Sequence, residues 1–92
     1  MEFVAVDVSE LAPPEPMTVI LTALANLEQG DCLFVTHRRQ PFPLYEKLTQ
    51  AGWAYHCQMH SDDQISLFIY RQTEHQQFER HLNDQNFQST TK

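Results

Sequence analysis

The run Gln64-Ile65-Ser66-Leu67-Phe68-Ile69-Tyr70-Arg71 has polar ends and is apolar at almost every position between them. A strand that is apolar on both faces is usually central in its sheet. Ser61-Asp62-Asp63 just before it is a turn signal. The stretch ahead of that turn, Trp53 to His60, is therefore expected to be its antiparallel neighbour. It sets Trp53, Tyr55, Cys57 and Met59 on one face and Ala54, His56, Gln58 and His60 on the other.

Further upstream the periodicity changes from two to 3.6. Gly52 closes a helix that opens at Pro41-Phe42-Pro43 and carries Leu44, Tyr45, Leu48 and Ala51 as its apolar stripe. The polar loop Thr36-His37-Arg38-Arg39-Gln40 separates it from a strand over 31–36. Gly30 is expected to cap an earlier helix, in which Met17, Ile20, Leu21, Leu24 and Leu27 recur at helical spacing. Pro16 suits the first turn of that helix, and Glu10 and Glu15 place negative charge near the positive end of its dipole. The first strand is Phe3 to Val8.

The order is thus β-α-β-α-β-β. Right-handed crossovers make the first three strands parallel and the short turn makes the fourth antiparallel. If the fourth strand lies between the second and third, both crossovers run the same way and both helices lie on one face. The expected fold is an α/β two-layer sandwich with a mixed four-stranded sheet of order 1-2-4-3. Residues 1–72 form this domain. The tail, 73–92, is rich in Gln, Asn and charge. A short helix is expected over 73–83, with Phe78 and Leu82 packing one edge on the domain, and disorder beyond it. One sheet face lacks helices, and either the tail or a second copy of the chain should cover it. The tail is the preferred cover, so monomer and homodimer both stay open.

Composition excludes several function classes. The chain has 92 residues, a hydrophobic fraction of 41% and a formal charge of −6, from 12 acids against 6 bases. That is one small domain without the basic surface that grips nucleic acid. No apolar run approaches the length of a membrane span, and the N-terminal residues lack the pattern of a secretory signal, so a cytoplasmic protein is expected. Its two cysteines, Cys32 and Cys57, could pair in principle, but in that compartment free thiols are expected.

Val6-Asp7-Val8-Ser9-Glu10-Leu11-Ala12-Pro13-Pro14-Glu15-Pro16-Met17, together with the order of elements, resembles the TusA/SirA-like sulfur-carrier proteins over roughly residues 3–71. The resemblance implies a two-layer sandwich and a Cys-Pro-x-Pro turn at the start of helix one. A thiol there would be activated by the helix N-terminus. Here Pro13 occupies the matching position, so the family's transfer chemistry does not carry over. The chain looks closer to an uncharacterised branch of that fold. The matching features are its Leu-x-Pro-Pro-Glu-Pro turn, Pro41-Phe42-Pro43-Leu44, Gly52-Trp53 and Ile69-Tyr70-Arg71. That branch occurs alone or beside hemerythrin-like and cupin domains and has no established activity.

The candidate site is the edge where strand two ends and both helices begin. Two helix N-termini and three potential cations would converge there on one hollow, which favours an anion. Glu15, His37, Arg38 and Arg39 are the candidate binding residues; the competing reading has Arg38 and Arg39 simply paired with Glu10, Glu15 or solvent. Cys57 is the alternative redox residue, with the rest of the chain acting as a sulfur carrier. Cys32 begins strand two at the opposite edge. His56 and His60 share a face but stand about 13 Å apart, and no His or Cys spacing matches a metal motif, so neither metal nor cofactor is expected. No glycine-rich phosphate loop or nucleophile elbow is present. The expected role is a non-catalytic binding or regulatory module for a small anion or a protein partner. The alternatives are the carrier that uses Cys57 and a structural domain that works through its open sheet face.

Overall fold

The computed structural model describes residues 1–90, with side chains through Asn83. Four strands, β1 (Phe3–Asp7), β2 (Cys32–His37), β3 (Trp53–Ser61) and β4 (Gln64–Arg71), form one sheet in the order β1-β2-β4-β3. β1 runs parallel to β2, and β4 runs antiparallel to both β2 and β3. Ile65 to Tyr70 are all buried, as a central strand requires. The helices are α1 (Glu15–Ala25), α2 (Phe42–Gln50) and α3 (His75–Thr90).

The expected sheet order and the shared face of α1 and α2 are both found. Ile20 and Leu24 of α1 and Leu44, Tyr45 and Leu48 of α2 meet Leu33, Val35, Leu67 and Ile69 in one core. Trp53 and Cys57 pack against its margin. Leu21, assigned to the apolar stripe, instead faces outward at 39% exposure. The stripe is narrower because α1 contacts the sheet mainly through positions 20 and 24.

Two details differ at the helix ends. Gly30 does not cap α1, which ends at Ala25 with the Asn26 N–H donating to Ala23 O and the Leu27 N–H to Leu24 O. It lies further on, at φ 88°, in the turn that leads into β2. Gly52 does follow its helix directly, at φ 90°, with its N–H donating to Thr49 O.

The second sheet face is occupied by α3. A 3₁₀ turn at Gln72–Glu74 redirects the chain after β4, and α3 then lays Phe78 against Cys32, Phe68 and Tyr70. Leu82 and Phe34 flank this smaller core. A third layer thus covers part of the face that a two-layer sandwich would leave bare. α3 is also longer than the helix expected over 73–83. The stretch 84–92, read from the sequence as disordered, has its side chains outside the described residues, as does the whole of 91–92. Among the described residues no helix is long and apolar enough to cross a membrane.

Candidate functional site

Because β1 and β2 are parallel, both end at one edge of the sheet, where Asp7 and His37 stand. β4 is antiparallel and must begin there, so the β3–β4 turn brings Asp63 and Gln64 to the same edge. The loop from Val8 to Pro14 completes the surround. It starts with a tight local turn in which Asp7 Oδ1 accepts the Ser9 N–H at 2.9 Å and the Ser9 hydroxyl at 2.6 Å. These two bonds favour the charged carboxylate and hold Asp7 below the usual carboxylate range.

Two adjoining hollows open at this edge. The first, about 350 Å³, has His37, Arg38 and Arg39 on one side and the Ser9–Pro13 loop on the other. The second, about 430 Å³, lies between Asp7, Thr36, Arg38 and Asp63. Ser9, Glu10 and Arg38 line both. Of the four binding residues read from the sequence, the structure brings His37, Arg38 and Arg39 together. Glu15 lines neither hollow; it opens α1, and its N–H donates to Ala12 O.

The geometry alters two parts of the expected electrostatics. His37 Nδ1 accepts the Arg38 N–H at 2.8 Å and the Arg39 N–H at 3.3 Å, so that nitrogen serves as an acceptor. Burial lowers the His37 pKa from its ordinary value, which keeps the ring neutral and leaves Arg38 and Arg39 as the cations. The helix N-termini also supply fewer donors than a generic helix. In α2 the N–H groups of Phe42 and Leu44 end on the carbonyls of Gln40 and Pro41. Pro16 and Pro43 have no N–H to give. The positive charge at this edge is therefore that of the Arg38 and Arg39 guanidinium groups. Arg38 and Arg39 are exposed and make no ion pair with a carboxylate among the described residues.

The alternative residue, Cys57, lies mid-strand in β3, half-buried and free. It is close to Tyr45, whose hydroxyl donates to Gln40 Oε1 at 3.2 Å. Burial first, and Cys57 second, raise the Tyr45 pKa. Cys32 is wholly buried and also free, and burial pushes its thiol up to about 12. His60 Nε2 lies 2.7 Å from the Ser66 hydroxyl, and His56 packs between Phe68 and Phe78. Among the described residues no three His, Cys, Asp or Glu side chains gather as metal ligands.

Asp7, Ser9 and Asp63 at this edge were not singled out by sequence reasoning, and Glu10 entered it only as a possible partner for the arginines and the helix dipole. The signal for Asp63 was nevertheless available. An antiparallel β4 beside β2 has to start where β2 stops, so the preceding turn must sit next to His37.

No curated protein and no solved structure matches the chain. Residues 5–71, which run from within β1 to the end of β4 and include both helices of the main core, match the family described as "Uncharacterized conserved protein (DUF2249)", and the chain belongs to that family.

Proposed function

We propose that this domain is a non-catalytic binding or regulatory module that takes a small anion between the Ser9–Pro13 loop and His37–Arg39. The observation that carries the reading is the pair of guanidinium groups, Arg38 and Arg39, that flank a hollow without an ion-pair partner. A charge-assisted hydrogen bond contributes about 1.5–3 kcal/mol. Two of them give affinity in roughly the millimolar range. The net charge of −6 does not forbid this, since charges beyond about 8 Å are screened at physiological salt. The likeness to TusA-like carriers supports a small domain with a working turn at the start of α1. Pro13 in place of the thiol removes sulfur transfer at that turn and leaves binding. A cytoplasmic setting, in which Cys32 and Cys57 stay reduced, belongs to the same reading.

Amide chemical shifts followed during titration with phosphate, sulfite and acetate test it. Movement concentrated at residues 9–13 and 37–39, and lost in the Arg38→Ala/Arg39→Ala double variant, is the expected result. Unshifted amides at this edge overturn the reading. Uptake of a sulfur atom at Cys57 from a persulfide donor would put a carrier in its place.

A further inference from the structure

The two hollows carry opposite charge. On one side of Arg38 the wall holds Arg39; on the other it holds Asp7 and Asp63, with Glu10 shared between them. Exposed arginines and carboxylates that share a surface can close on one another, but such pairs gain little in water. Here no such pair forms among the described residues, although Arg38 lines the same hollow as Asp7, Glu10 and Asp63. The field along the groove therefore stays divided, positive at one end and negative at the other. Leu11, Ala12 and Pro13 add apolar wall to the first hollow, and Ser9, Glu10 and Arg38 are the residues that the two hollows share. A simple anion uses half of this surface and is repelled by the carboxylates of the other half.

We infer that the ligand is a small zwitterion whose carboxylate or similar oxyanion meets Arg38 and Arg39 in the first hollow, and whose ammonium group meets Asp7 and Asp63 in the second. This rests on the anion-binding reading above and names the ligand class of that same site. The recognition is of separated charges, as in an amino acid whose amine is carried on a methylene chain. Asp7, fixed in place by Ser9, supplies a permanent negative charge at neutral pH. Asp63 supplies the second from a turn that Ser61 steadies by donating its hydroxyl to Asp63 Oδ1 at 3.0 Å.

Calorimetric or amide-shift titration at low salt tests the inference with γ-aminobutyrate and ε-aminocaproate as zwitterions. Butyrate and caproate serve as anion controls and putrescine as the cation control. At least one zwitterion should bind about tenfold more tightly than its anion of equal length, about 1.4 kcal/mol. Asp63→Asn, which removes one of the two carboxylates, should shrink the zwitterion's advantage over its plain anion severalfold. Anions that bind as well as zwitterions, or an Asp63→Asn variant that keeps the full native preference for zwitterions, would overturn the inference and leave the anion site standing. Putrescine as the tightest ligand would overturn the inference, and no binding by any probe would overturn both.

Discussion

The Arg71 guanidinium lies over the Trp53 indole, 4.9 Å from the ring centroid, while its two terminal nitrogens donate to Leu27 O at 2.7 Å and Glu28 O at 2.9 Å. Trp53 and Arg71 are register partners at one end of the β3–β4 ladder. One side chain thus ties the start of β3 and the end of β4 to the chain leaving α1. A cation–π contact contributes about 0.5–1 kcal/mol and hydrogen bonds from a charged donor about 1.5–3 kcal/mol each. After discounting for partial exposure, Arg71→Ala is expected to cost about 2–3 kcal/mol. Arg71→Lys keeps the charge but not the planar fork, and should recover less than half of the loss. Urea unfolding with an unchanged m-value checks this; a lysine variant as stable as the native protein sinks the account.

A second prediction concerns α3, the layer that the main core does not need. The Phe78 ring stacks on Tyr70 at 4.2 Å and 13°, and lies 5.6 Å from Phe68. It is 2% exposed. Phe78→Ala should cost about 3–5 kcal/mol, the usual range for removing a buried aromatic ring. A loss below 1 kcal/mol in urea unfolding would mean that α3 rests on the sheet without stabilising it.

The strand order was readable because it depends on one short-range fact, the double-sided burial of Ile65 to Tyr70. The third layer was half-readable: Phe78 and Leu82 are isolated apolar residues four apart in a polar tail, enough for an anchor but not for its position. The site was least accessible. Arg38 and Arg39 follow β2 visibly, whereas the neutral state of His37 depends on its burial and its ring orientation on two backbone N–H groups that turn back onto it. The missing helix-end donors depend on turns at Pro41 and Ala12. The Gly30 assignment failed because left-handed backbone occurs in the α1–β2 turn as readily as at a helix cap.

The two thiols should separate cleanly in reactivity. Cys32 has no exposed surface and its pKa is pushed up to about 12, so its thiolate is scarce and out of reach. Cys57 is only half-buried. Native protein treated with iodoacetamide should therefore take one adduct, at Cys57, with the second appearing only on unfolding. Cys57→Ser should leave the native protein unreactive. Adducts at both cysteines on the same timescale would show that β2 or α3 opens under native conditions.

Stability should also report on His37. Its Nδ1 accepts two backbone N–H groups, and burial depresses its pKa below the ordinary value of about 6.5. The folded state therefore binds the proton less readily than the unfolded chain. Between the depressed value and about 6.5 the unfolded state carries more protons, so stability rises with pH across that window. The His37 contribution is complete above it, is lost as pH falls through it, and changes no further once both states are protonated. His37→Asn preserves an acceptor for the Arg38 and Arg39 amides, because asparagine makes the same local turn without titrating. The other ionisable groups are common to both proteins and largely cancel in the difference. The native protein should then lose more stability than the variant on going from pH 7.5 to pH 5, read as the gap between their urea midpoints. A gap that stays constant over that range would show that the His37 ring does not hold the loop that presents Arg38 and Arg39.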